Sequence, residues 1–210
     1  MRGEILQIRY EHHRAAVEIA ERLLDITSEK MVVAIGGESG AGKTAIAHVV
    51  GRTLKENGIA AKIVNLDNFY KVPPVERRAW REMNGLDRVG PDEYDWEWID
   101  ATVDAFRKDE EAEIPCVDLT NDQVDLLKTT FKGIRFLILD GLYPLRADAD
   151  LKIHLDVAYD ETVKAQELRR KETLDDFRIA VLEREHNAVT SLRPEADIIL
   201  TKTFEIEEQT

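Results

Sequence analysis

The sequence has a single cysteine in 210 residues, Cys116, and that scarcity removes two architectures at once. A lone thiol forms no internal disulfide and cannot build a cysteine-based zinc site, which agrees with a reducing compartment. Long apolar runs are missing too. No segment approaches the ~18 to 20 uninterrupted apolar residues of a membrane span. The start, MRGEILQIRYEHH, lacks an apolar stretch followed by a small-residue cleavage site. The expected setting is the cytoplasm, with no membrane partner. Basic charge is in short supply as well: 29 Lys and Arg stand against 42 Asp and Glu, a net charge of −13. Phosphate backbones are held by clustered Lys and Arg, so nucleic acid is not an expected partner. Apolar residues, at 43%, suffice for a buried core and argue against disorder. One domain over 1–210 is expected, with no internal repeat or low-complexity tract.

Hydrophobic spacing then outlines the elements. Ala16, Ile19, Ala20, Leu23 and Leu24 fall on one helical face, so 4–27 reads as an amphipathic packing helix, an N-terminal addition (1–28) to a core at 31–202. Residues 31–35 (MVVAI) suit a strand buried on both sides. From Thr44, residues Ile46, Ala47, Val49, Val50 and Leu54 form an apolar helix face that Asn57-Gly58 ends. A strand is expected at 59–66, then loop and short helix from 67 to 94. Asp95 is placed to cap a helix carrying Trp96, Ile99, Val103 and Phe106. The acidic run 109–113 reads as a solvated turn. Short strands at 114–119 and 128–131 could pair as a hairpin, while 134–139 (IRFLIL) is the most apolar strand. Strands at 151–157 and 197–201 bracket a charged helical region, 161–187. Strands alternating with helices predict an α/β fold with a mainly parallel sheet of about five strands.

The strongest chemical signal is Gly37-Glu38-Ser39-Gly40-Ala41-Gly42-Lys43-Thr44, which satisfies GxxxxGK[ST]. Its glycines let backbone N–H groups curl around phosphate oxygens, and the following helix points its positive end at the same anion. Lys43 is the residue expected to reach the β- and γ-phosphates, and Thr44 to place its hydroxyl on Mg²⁺. The motif lies between an apolar strand and an amphipathic helix, the context it requires. A second signal is Phe136-Leu137-Ile138-Leu139-Asp140, a buried strand ending in a carboxylate. Asp140 at that carboxyl end is positioned to face the metal, so the two motifs supply both sides of one Mg²⁺–triphosphate site. No Asn-Lys-x-Asp guanine-reading motif is present, which argues against a GTPase switch.

Further segments carry a resemblance. Asp67-Asn68-Phe69-Tyr70 is similar to the D-x-F-Y segment of the uridine kinase and phosphoribulokinase family of P-loop kinases. Pro91-Asp92-Glu93-Tyr94-Asp95 resembles its P-D-A-F-D, and Ile114-Pro115-Cys116-Val117-Asp118 its I-P-x-Y-D hairpin. Asp140-Gly141 falls where that family has Glu-Gly, and Arg193-Pro194 with 196–199 resembles its closing stretch. The likeness runs from about residue 31 to 200. It implies a three-layer P-loop fold with a small hairpin insertion and an arginine-bearing lid. The implied chemistry is transfer of the ATP γ-phosphate, with Mg²⁺, to a hydroxyl of a small metabolite. On the same resemblance Asp67 is the acid that orients or deprotonates that hydroxyl, Tyr70 and Asp118 lie on the substrate side, Arg193 on the nucleotide side, and Arg169 in the lid. Homo-oligomers are common in such enzymes, but no interface signature stands out.

The substrate side departs from the pattern. Val117 replaces the hairpin Tyr, Asp122 the base-reading His, and Val89 the Asp two residues before the proline, with Asp87 nearby. A site built to hydrogen-bond a base does not keep its selectivity without those groups, so the acceptor expected is a nucleoside or sugar-like alcohol, with uridine itself disfavoured. The −13 charge offers an already phosphorylated acceptor no general attraction. In the lid, Ala165 and Gln166 stand on the earlier arginine pair, leaving Arg170, Arg178 and Arg184 as further candidates or as ordinary surface ion-pair residues. His12, His13, His48, His154 and His186 lack metal-ligand spacing and read as structural. Trp96 fits its helix stripe, whereas Trp80 and Trp98 are open between packing and stacking on a substrate. Cys116 reads as a buried apolar residue. The residues alone leave a rival open, a nucleotide-binding or ATP-hydrolysing module with no phosphorylated acceptor, and the two readings part at Asp67.

Overall fold

Met31–Gly37 is buried at every position and forms β1, the central strand, with Val33 and Ile35 turned to one side of the sheet and Val32 and Ala34 to the other. The computed structural model describes residues 6–121, 123–157 and 175–209. β5 (Phe136–Gly141) and β6 (Leu151–Leu155) flank β1 in parallel. Outside them lie β2 (Ala61–Asn65) and β7 (Ile198–Leu200), also parallel, and β8 (Ile206–Glu208) closes the edge antiparallel to β7. The order is β2-β5-β1-β6-β7-β8. Among the described residues the sheet thus has six strands, against about five expected. Ile206-Glu207-Glu208 lacks an apolar pattern because it is an edge strand, stabilised by pairing and protected from further pairing by its charges.

Two helical layers cover the sheet. On one face α1 (Tyr10–Asp25) and α2 (Lys43–Glu56) bury Ala16, Ile19, Leu23, Ile46, Val50 and Leu54 against Val33, Ile35, Ile138 and Ile153. Each such aliphatic side chain contributes roughly 1.5–3 kcal/mol on leaving water. On the other face α4 (Trp96–Arg107) places Ile99, Val103 and Phe106 over Val32, Leu137 and Leu139, joined by Val189 of α5 (Asp176–Ser191). Asp95 caps α4 as expected, its carboxylate accepting the Trp98 N–H at 3.1 Å. α2 stops at Asn57-Gly58, where Gly58 takes a left-handed φ of 77°.

Several boundaries differ from expectation. α1 begins at Tyr10, not near residue 4, because Arg9 is extended and its N–H donates to His12 Nδ1 at 3.3 Å, fixing the start of the helix there. The 67–94 stretch contains a three-turn helix, α3 (Pro74–Asn84), opened by a proline in its first turn. The acidic run is not a turn throughout: Glu111 opens β3 (Glu111–Asp118), which pairs with β4 (Gln123–Thr130). β4 starts five residues before the expected strand because cross-strand hydrogen bonds, rather than burial of its mostly exposed side chains, define it. In the expected helical region 161–187, only residues from 175 onward are described, and α5 runs past it to Ser191. Among the described residues no helix is long and apolar enough to cross a membrane.

Candidate active site

The carboxyl ends of β1, β5 and β2 lie side by side and deliver Gly37, Asp140 and Asn65 to one rim of the sheet, the position at which open α/β sheets bind ligands. From β1 the chain passes through Glu38, Ser39, Gly40 and Ala41 to Gly42, which takes φ 99° immediately before α2. A Cβ at Gly42 would stand 2.6 Å from His12 Nε2, so neither the backbone angle nor the space admits a larger residue. Lys43 and Thr44 occupy the first turn of α2. With the helix N-terminus behind them, the loop's N–H groups and the helix dipole favour an anion. Lys43 is buried, and its Nζ donates to the Glu38 carbonyl at 2.6 Å.

Asp140 is withdrawn completely from solvent. Its Oδ2 accepts the Thr44 hydroxyl at 2.8 Å and the Asn65 side-chain amide at 3.0 Å. Its Oδ1 is buried with no hydrogen-bond partner among the described residues. Burial pushes the carboxyl up to about 6, opposed by the hydrogen bonds from Thr44 and Asn65. A buried carboxylate oxygen without a donor, next to a hydroxyl in a phosphate loop, fits a hard divalent cation such as Mg²⁺. That ion typically takes one or two protein oxygens and completes its shell with phosphate and water. Thr44 and Asp140 are the residues that would hold it.

Asn65 also orients the next group: its Oδ1 accepts the Asp67 N–H at 3.0 Å. Asp67 follows in a 3₁₀ turn, half-buried, and its Oδ1 accepts the Tyr94 hydroxyl at 2.8 Å. Thr44, Asp140, Asn65, Asp67 and Tyr94 thus form one continuous hydrogen-bonded line from the phosphate loop to the rim of β2. Tyr70 lies beside it, with its ring 4.2 Å from that of Tyr94 and the Arg77 guanidinium over it, 3.4 Å from the ring centroid. Burial drives the Tyr70 phenol well above its usual range. Asn68 Oδ1 accepts the Val117 N–H at 3.0 Å and so ties the β3–β4 hairpin to this rim. Asp118 ends β3, and its carboxylate accepts the Thr120 N–H at 2.8 Å, a hairpin-tip turn.

The remaining candidates separate. Arg193 sits at the start of a 3₁₀ turn before β7 and pairs with Asp156 at 3.3 Å. Arg169, with Arg170, Ala165, Gln166 and Asp122, lies outside the described residues. Arg178 approaches Glu185 at 3.6 Å, and Arg184 is exposed. Trp96 and Trp98 direct their indole N–H groups to the Pro91 and Glu113 carbonyls, at 2.7 and 2.9 Å. Three participants escape sequence reasoning: Asn65, Tyr94 in its hydroxyl role, and the pair Glu38–His186. Glu38 is buried within the loop and meets His186 Nδ1 of α5 at 2.7 Å; burial raises its carboxyl, opposed by that contact. Asn65 had one signal, its place at the end of a strand just before Asp67. The Glu38–His186 contact spans 148 positions and leaves no local trace.

The profile of the Phosphoribulokinase / Uridine kinase family matches residues 32–192. The uridine kinase of Schizosaccharomyces pombe is 28% identical over 134 residues, which is 61% of this chain and 29% of that protein. The uridine kinase of Halobacterium salinarum is 22% identical over 191 residues, 83% of this chain and 81% of that protein. The chain spans between a quarter and about half the length of several curated relatives, 25% of mouse uridine-cytidine kinase-like 1 and 52% of the Mycoplasma pneumoniae uridine kinase. A possible uridine kinase from Bacillus stearothermophilus superposes with a TM-score of 0.61 at 21% identity, over 89% of this chain and 97% of that one. That last likeness is one of fold.

Proposed function

Since the chain belongs to the phosphoribulokinase / uridine kinase family, we propose that it is an ATP- and Mg²⁺-dependent kinase acting on a hydroxyl of a small metabolite, a nucleoside or sugar-like alcohol. The observation that carries this reading is the hydrogen-bonded line from Thr44 through Asp140 and Asn65 to Asp67. A module that only binds ATP has no need of a second carboxylate, beyond the metal-facing Asp140, fixed relative to the phosphate loop. A transferase needs one, because an aligned nucleophile and neutralised charge are most of what phosphoryl transfer asks of a protein.

In this reading residues 37–44 cradle the phosphates, and Lys43 turns its ammonium from the Glu38 carbonyl to the β- and γ-phosphate oxygens. Mg²⁺ held by Thr44 and Asp140 would supply charge neutralisation on the same oxygens. Asp67 aligns the acceptor hydroxyl and takes its proton while the acceptor O–P bond forms and the bond to the β-phosphate oxygen breaks. Tyr70 and Asp118 border the acceptor, Arg193 the nucleotide, and Arg169 offsets charge on the transferring group. Uridine is not the favoured acceptor, because Val117 and Val89 offer a base and a ribose no hydrogen bonds.

The test is ADP production from Mg-ATP with uridine, cytidine, D-ribose, D-ribulose 5-phosphate and D-glycerate, with mass detection of a product about 80 Da heavier than its acceptor, the added HPO₃. Strong stimulation by one alcohol is expected. Asp67→Asn should then keep ATP binding and lose on the order of 10³ in transfer rate. Slow hydrolysis indifferent to the panel and to Asp67→Asn would favour the ATP-hydrolysing module.

A further inference from the structure

The tyrosine in Pro91-Asp92-Glu93-Tyr94-Asp95 stands where the motif it resembles carries phenylalanine. The ring alone would serve packing. Tyr94 is fully buried, its ring centroid lies 4.2 Å from Tyr70 and 5.4 Å from Tyr143, and it sits in the same apolar cluster as Phe69, Leu139 and Val189. A hydroxyl carried into such surroundings is costly unless it is hydrogen-bonded. The partner it finds is Asp67, at 2.8 Å.

The contact selects one carboxylate oxygen. Tyr94 bonds Oδ1, and no protein donor among the described residues bonds Oδ2. The Asp67 backbone is separately held by Asn65. With main chain and Oδ1 both held, the orientation of the carboxylate is constrained, and among the described residues Oδ2 is the oxygen left to an acceptor. Burial, and then the charge of Asp67, hold the Tyr94 phenol well above its usual range, so the hydroxyl stays a donor.

We propose that Tyr94 is a positioning residue for phosphoryl transfer: its hydroxyl anchors Asp67 Oδ1 and thereby presents Oδ2 to the acceptor hydroxyl. The inference rests on Asp67 being the group that aligns the acceptor. Alignment of this kind acts on the chemical step, since small losses of orientation lower the rate without weakening ground-state binding.

The experiment is a double-mutant cycle on the full chain with Tyr94→Phe, Asp67→Asn and the pair together. The probe is whichever of uridine, cytidine, D-ribose, D-ribulose 5-phosphate or D-glycerate the parent phosphorylates fastest, with water, read as ATP hydrolysis, if none reacts. Tyr94→Phe keeps the ring and is expected to fold. It should lower kcat by roughly 10- to 100-fold, with the KM for Mg-ATP unchanged and the protein still folded at the assay temperature. With Asp67→Asn already present, adding Tyr94→Phe should change kcat less than about twofold, because the carboxylate oxygen that Tyr94 orients is gone. An unaltered kcat for Tyr94→Phe while Asp67→Asn is crippled would overturn this inference alone, as would equal losses in both backgrounds. An inert Asp67→Asn would overturn the role of Asp67 itself, and this inference with it.

Discussion

His154 is a histidine held neutral by its surroundings. It lies in β6 between Gly36 and Ile199 and is almost wholly buried. Burial, aided by the positive charges of Arg193 and Lys43 and opposed by Asp156, pushes its imidazole down to about 4. In the unfolded chain it would titrate near 6.5, so between those values the unfolded state binds a proton that the folded state refuses. Stability from this group is therefore complete above about pH 6.5 and is lost as pH falls toward 4, by about 3 kcal/mol in all. Denaturant unfolding of the parent and of His154→Leu between pH 4 and 7.5 should give curves whose difference carries that slope. Parallel curves would contradict it. Single residues also mark the limit of what the sequence discloses. Lys43, Thr44 and Asp140 are legible because a fixed spacing, or a carboxylate ending an apolar strand, is local information. Asn65 and Tyr94 gain meaning only when β2, β5 and the 91–95 segment converge.

At the scale of elements, α3, the 3₁₀ turn at Pro91–Glu93 and α5 are joined by one buried cluster. Arg81 forms paired hydrogen bonds to Glu93 at 2.7 and 2.8 Å and a third to Glu185 at 3.1 Å, with all three side chains buried. Removing the guanidinium takes the main partner from two buried carboxylates, so Arg81→Ala should cost about 3–5 kcal/mol in thermal or denaturant unfolding. Arg78→Ala, which removes an exposed arginine paired with Glu82 and Asp175, should change stability little. Equal effects would refute the distinction. Elements with their own apolar period, such as β1, α2, α4 and β5, were readable within a few residues. β4, β8 and α3 were not, since an exposed hairpin strand, an acidic edge strand and a charged helix owe their form to partners distant in sequence.

Across the whole molecule, segments outside the family match complete the fold. α1 precedes residue 32 and β8 follows residue 192, and they meet: Arg14 bonds the Thr203 carbonyl at 3.0 Å, Arg22 pairs with Glu208 at 2.5 Å, and the His12 ring packs edge-on against Phe204. Through His12 against Gly42 this corner also backs the phosphate loop. α1 is thus part of the core, with Ala16, Ile19 and Leu23 fully buried. Ile19→Ala should lower stability by about 2–4 kcal/mol while leaving the KM for Mg-ATP unchanged at a temperature where the protein stays folded. A loss below about 1 kcal/mol would mean that the helix is not packed as described. The central claim, that the phosphate loop and Asp67 serve transfer and not hydrolysis, is tested most directly by following the γ-phosphate. With Mg-ATP labelled by ¹⁸O in its γ-phosphoryl group and the five alcohols present, the label is predicted to appear in an organic phosphate ester. Label recovered in inorganic phosphate alone would contradict it.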